Sequence, residues 1–132
     1  MSLLKTYIVE DSPVIRDSLI ATLEELAPVK VVGTAQDEET AIAWLGDSGN
    51  HADLVIVDIF LKSGGSGLGV LRRAGALDLS AKLIVLTNYA TADMRRTCLE
   101  LGADEVFDKS AEIDALIEYC NKAANTKSAA MS

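Results

Sequence analysis

The sequence predicts an α/β domain, a doubly wound parallel sheet with helices on both faces. Three observations carry this reading. Aliphatic runs at residues 6–9, 29–33, 54–57 and 82–86 are strand-length and nearly free of polar residues, as central parallel strands buried on both faces must be. Between them lie stretches whose apolar residues recur at helical spacing. Strands alternating with helices require right-handed crossovers, which put helices on both faces of one sheet.

Each element has its own signal. The strand at Thr6, Tyr7, Ile8 and Val9 ends on Glu10 and Asp11, and Ser12-Pro13 is a helix cap followed by proline at the first helical position. Val14, Ile15, Leu19, Leu23 and Leu26 give the first helix one apolar face, and Pro28 ends it. Val29 to Gly33 forms strand two, and Asp37 caps a helix carrying Ala41, Ile42 and Leu45. Leu54-Val55-Ile56-Val57 is strand three and ends on Asp58. A glycine-rich loop follows, then a short helix with Leu68, Val70 and Leu71. Strand four runs from Lys82 to Leu86 and ends on Thr87-Asn88; Thr91 caps helix four and Gly102 stops it. A weaker strand around Val106 and Phe107 ends near Lys109. Ser110 is expected to cap a last helix whose Ile113, Leu116, Ile117 and Cys120 share one face. The pattern stops after Ala124, so residues 1–124 are expected to form the domain and 125–132 a flexible tail.

Composition narrows the function. A length of 132 residues suits one domain with a full core. The net charge of −8 argues against nucleic acid, whose phosphates would be repelled. No apolar run is long enough to span a membrane, and the first residues lack the apolar region of a signal peptide. Cys98 and Cys120 fall on apolar helix faces and are expected to be free buried thiols in a reducing, cytoplasmic setting. His51 is expected on the surface, and Trp44 and Tyr119 in packing or surface positions.

The polar residues at the strand ends form one set. Glu10 and Asp11 follow strand one, Asp58 strand three, Thr87 strand four and Lys109 strand five, all on the carboxyl edge where open α/β sheets bind ligands. Three carboxylates offer hard oxygen ligands suited to Mg²⁺. A hydroxyl and an ammonium can hold phosphoryl oxygens, which leaves Asp58 free to act as a nucleophile. In this register the chain resembles the receiver domain of two-component response regulators over residues 4 to 123 or so.

That resemblance implies a flavodoxin-like (βα)5 fold with strand order 2-1-3-4-5. Asp58 would be the phosphoacceptor, and Asp11 would bind Mg²⁺ directly with Glu10 acting largely through water. The backbone carbonyl of Phe60 would be a further metal ligand, while Lys109 and Thr87 would hold the phosphoryl group. The implied partners are a sensor histidine kinase or a histidine phosphotransfer protein, and a downstream protein target. The expected form is a stand-alone, single-domain regulator that phosphorylates and dephosphorylates itself, with output by binding or by onward phosphotransfer rather than by turnover as a conventional enzyme.

Several positions depart from the family pattern. Lys62 stands where proline is common, and Gly67 comes one residue late, so the loop after Asp58 is one residue longer. Asn88 replaces a small residue and narrows access to Asp58; Val106 stands in place of the switch aromatic; Ser110 replaces proline after the lysine. With Val106 lacking a ring, Tyr89 is the expected mobile aromatic. Two rivals use similar residues. A phosphatase resembling the haloacid dehalogenase group needs a second acid two residues after its nucleophile, and Phe60 occupies that position. A degenerate receiver that only binds would have no need of the intact acids, Thr87 and Lys109. The run of glycines from Gly64 to Gly69 does not have the spacing or the strand context of a dinucleotide site.

Overall fold

A computed structural model describes residues 3–62 and 64–131; Met1, Ser2, Ser63 and Ser132 lie outside it. Five strands, β1 (Leu4–Val9), β2 (Val29–Ala35), β3 (Leu54–Val57), β4 (Lys82–Thr87) and β5 (Glu105–Asp108), form one sheet. The order is β2-β1-β3-β4-β5 and every pairing is parallel. Five helices alternate with them: α1 (Pro13–Leu26), α2 (Glu38–Leu45), α3 (Gly67–Ala76), α4 (Ala92–Glu100) and α5 (Ile113–Met131). This is the flavodoxin-like (βα)5 arrangement.

Strand alternation splits the core in two. Tyr7, Val9, Val55, Val57, Leu83, Val85 and Val106 point to one face, where α2, α3 and α4 bring Ala41, Leu45, Val70, Leu71 and Cys98. Ile8, Leu54, Ile56, Ile84, Leu86 and Phe107 point to the other, against Leu19 and Leu23 of α1 and Leu116 and Cys120 of α5. The two cysteines are therefore buried, free and on opposite sides of the sheet. Trp44 stacks on Tyr7 with ring centroids 4.2 Å apart, and Tyr119 meets Phe107 edge-on at 6.0 Å. His51 is exposed and lies 3.3 Å from Asp53.

Register sets the carboxyl edge. Val9, Val57 and Val85 lie side by side across β1, β3 and β4, so the residues that follow them emerge together. Helix starts are fixed by the expected caps. The side chains of Ser12, Asp37 and Thr91 accept from Ile15, Thr40 and Met94 N–H groups, and Ser66 caps α3 in the same way. Gly102 takes a φ of 110° just past α4, a conformation that strains any residue with a Cβ.

The structure corrects the sequence reading in three places. Ser110 does not cap α5. It sits in a turn, where its own N–H and that of Ala111 donate to Asp108 Oδ1, and α5 starts at Ile113. Helix α5 does not stop at Ala124 but continues to Met131, and Lys127 Nζ reaches Asp53 Oδ2 at 2.7 Å and the Leu3 carbonyl at 2.9 Å. The face of α1 is apolar for longer than it is buried. Leu19 and Leu23 pack inside, while Val14 and Ile15 of the first turn are exposed, Val14 by 79%.

Candidate functional site

Parallel register delivers Glu10, Asp11, Asp58, Thr87 and Lys109 to one edge, where all but Thr87 line a cleft of about 670 Å³. One carboxylate oxygen each from Glu10, Asp11 and Asp58 lies within 4.8 Å of the others. Glu10 and Asp58 are buried and Asp11 is partly buried. At an effective dielectric near 20, two such charges repel by about 3 kcal/mol. This set of hard oxygens fits a small divalent cation such as Mg²⁺, and receiver domains generally bind Mg²⁺ at an acidic pocket of this kind.

Lys109 is the cation of the cluster. Its ammonium donates to Glu10 Oε1 at 2.5 Å and stands 3.2 Å from Asp58 Oδ2. Burial works against that charge, but Glu10 and Asp58 outweigh it and hold the Lys109 pKa above its ordinary value. Glu10 shows the opposite balance. Burial lifts its carboxyl above the usual glutamate range and the Asp58 charge adds to this, against the Lys109 ammonium and the Ser12 N–H.

Backbone groups complete the cleft. The Phe60 N–H points at Asp58 Oδ1 at 3.4 Å, and the Lys62 N–H donates to Asp11 Oδ2 at 2.6 Å. Phe60, its ring exposed, holds the position two residues after Asp58 where a phosphatase of the haloacid dehalogenase type has its general acid. Gly67 begins α3 against the Asp58 and Ile59 backbone, in space a Cβ would need. Thr87 is fully buried, and its hydroxyl accepts from the Tyr89 N–H at 3.1 Å. Asn88 is exposed at the cleft wall, 3.4 Å from Ser110 Oγ. Tyr89 and Phe60 meet edge-on across the mouth, centroids 5.0 Å apart.

The structure thus gathers Glu10, Asp11, Asp58 and Lys109 in direct contact or near it, with Thr87 buried at the adjacent strand end. What the sequence did not reveal is the Lys62 amide, since every residue but proline carries that donor, and the Val14 and Ile15 rim.

Comparison with known proteins agrees with this geometry. The family model for the response regulator receiver domain matches residues 6–121. Response regulator UvrY of Escherichia coli K12 is 27% identical over 109 residues, covering 83% of this chain and 49% of that protein. Sporulation initiation phosphotransferase F of Bacillus subtilis is 33% identical over 76 residues, 58% of this chain and 60% of that one. The chain spans about half the length of UvrY and 28% of a Thermotoga maritima cyclic di-GMP phosphodiesterase. Among solved structures, a Francisella response regulator receiver domain superposes with a TM-score of 0.81 at 19% identity, covering 94% of this chain and 98% of that one. No described helix is long and apolar enough to cross a membrane. With a family match across nearly its whole length and the fold and edge cluster to go with it, the chain belongs to the response regulator receiver domain family.

Proposed function

We propose that this chain is a phosphoacceptor in a two-component phosphorelay, taking a phosphoryl group from a phosphohistidine onto Asp58. The observation that carries the reading is the position of Lys109 against both Glu10 and Asp58, beside the Asp11 carboxylate. An Asp58 oxygen attacks phosphorus in line with the phosphohistidine N–P bond. The new O–P bond forms as the N–P bond breaks, and its electron pair leaves with the imidazole nitrogen. Glu10, Asp11, Asp58 and the Phe60 carbonyl would hold Mg²⁺, which when bound offsets the charge of the phosphoryl oxygens. Lys109, kept charged by its partners, moves from carboxylates to a phosphoryl oxygen, and Thr87 turns its hydroxyl to another.

A donor must bring its histidine within bonding distance of Asp58, so it covers the rim of the cleft. That rim is apolar: Val14 is 79% exposed and Tyr89 60%, with Ile15 and Phe60 beside them. A histidine kinase or histidine phosphotransfer protein with an apolar helical face around its histidine fits this surface. Similarity to a protein named as a phosphotransferase supports onward transfer as one output, and binding to a downstream protein is the other.

The test is transfer from a donor labelled on its phosphohistidine. Label should pass to this chain with Mg²⁺ and stay on the donor in chelator. Repeated hydrolysis of a small phosphate ester, with no stable label on the chain, would instead identify a phosphatase.

A further inference from the structure

The shortest link between the loop after β3 and the acidic cluster is a backbone donor. The Lys62 peptide N–H reaches Asp11 Oδ2 at 2.6 Å across 51 residues of sequence. Glu10 is held by Lys109 and the Ser12 N–H, and Asp58 by Lys109 and the Phe60 N–H. Asp11 is the most open of the three, and among the described residues the Lys62 N–H is its one hydrogen-bond donor.

Gly64 to Ser66, farther along the chain, are held against α2. The Gly64 carbonyl accepts from the Glu38 N–H at 3.2 Å, and Glu38 Oε1 accepts from the Ser66 N–H at 3.1 Å. Arg73 clamps Glu38 at 3.0 Å, and a Cβ on Gly65 or Gly69 would run into the same carboxylate. Lys62 is thus tied to Asp11, and Gly64 and Ser66 to α2. A peptide N–H also has fewer free torsions to order than a long side-chain donor.

We propose that the Lys62 peptide N–H is a positioning group for the metal site. It fixes the Asp11 carboxylate beside Glu10 and Asp58, so that the cation is bound without first ordering this ligand. The inference rests on the metal reading proposed above. A carboxylate has about four lone-pair sites, so one N–H on Oδ2 leaves ample capacity for a cation. Orienting a ligand in advance removes an ordering cost from binding, and losing such an outer hydrogen bond typically weakens metal affinity by about 10–100-fold. Linkage then runs both ways: if the bonded form binds Mg²⁺ more tightly, Mg²⁺ must favour the bonded form.

The experiment compares Mg²⁺ affinity of Lys62→Pro and Lys62→Ala by calorimetry on the full chain. Both variants lose the amine, and only the proline variant loses the N–H. Affinity should be at least about tenfold weaker in Lys62→Pro than in Lys62→Ala. Equal affinities in two folded variants overturn the proposal. Hydrogen exchange of the Lys62 amide in the wild type, read by NMR, keeps the question open to test even where the proline variant does not fold. Mg²⁺ should slow that exchange; exchange unchanged or faster with Mg²⁺ overturns the proposal, because the cation would then ignore or displace the bond. Asp11→Asn serves as the reference for the site itself. If it binds Mg²⁺ as tightly as the wild type, the metal reading fails; if it binds weakly while Lys62→Pro matches Lys62→Ala, only the positioning claim fails.

Discussion

At the scale of single residues, the site holds charge that the fold would be more stable without. Asp58 lies within 4.8 Å of the Glu10 and Asp11 carboxylates and 3.2 Å from Lys109. At an effective dielectric near 20 the two repulsions cost about 3 kcal/mol each, while the attraction returns about 5. The balance is roughly 1 kcal/mol against folding. Asp58→Asn should therefore melt a few degrees higher than the wild type in chelator and gain less from millimolar Mg²⁺. A lower melting temperature for the variant in chelator would mean the carboxylates do not repel as placed here. Gly67 makes a second prediction. Its Cα faces the Asp58 carbonyl where a Cβ would need to be, so Gly67→Ala should cost about 1–3 kcal/mol in urea unfolding; no cost would show that the β3–α3 junction relaxes freely. Glu10, Asp11, Asp58 and Thr87 could be picked out of the sequence because each follows or ends an aliphatic run, and Lys109 because it follows the weaker fifth strand. The Lys62 amide could not, because side-chain identity says nothing about where a peptide N–H points.

At the scale of elements, the question is how a change at Asp58 leaves the site. The Thr87 hydroxyl accepts from the Tyr89 N–H, so turning that hydroxyl toward a phosphoryl oxygen disturbs the partner of the Tyr89 amide. Arg95 bonds the Ala90 and Val106 carbonyls and Glu112, tying the same loop to β5 and the start of α5. Val106 is buried on the α4 face without a ring and Phe107 points to the far face of the sheet, so no aromatic ring of β5 serves the loop as a switch. Structures with and without beryllofluoride should show Tyr89 and its loop shifting, with the Tyr89 and Phe60 rings drawn apart. A shift of Phe107 with Tyr89 unmoved would contradict this route. Element boundaries were less legible than element existence. Helix α1 carries apolar Val14 and Ile15 in its exposed first turn, and periodicity alone cannot tell a buried face from a docking face. Helix α5 runs past its apolar pattern because Lys127 finds partners at Asp53 and Leu3, which are distant in sequence and leave no local signal.

At the scale of the whole molecule, one edge of the sheet carries the chemistry and the other carries the ties. At the amino edge Asp53 accepts from the Lys5 N–H at 2.8 Å and from Lys127 at 2.7 Å, joining β1, the turn into β3 and α5. Burial raises the Asp53 pKa, but Lys127 and the Lys5 N–H outweigh it and hold the carboxyl below its ordinary value. A carboxyl more acidic in the fold contributes stability above its unfolded pKa, about 4, and loses it as pH falls through the folded value. Asp53→Asn should thus be less stable than the wild type at pH 7, and the gap should close in acid; a gap that persists at about pH 2 would assign the effect to packing. The fold itself was legible because every central strand is a continuous apolar run, and parallel register then fixes which residues share an edge. The central claim about that edge is that Asp58 accepts the phosphoryl group. Intact-mass measurement after incubation with acetyl phosphate and Mg²⁺ tests it most directly. The wild type should gain one phosphoryl group and Asp58→Asn none; an undiminished gain in the variant would contradict the account.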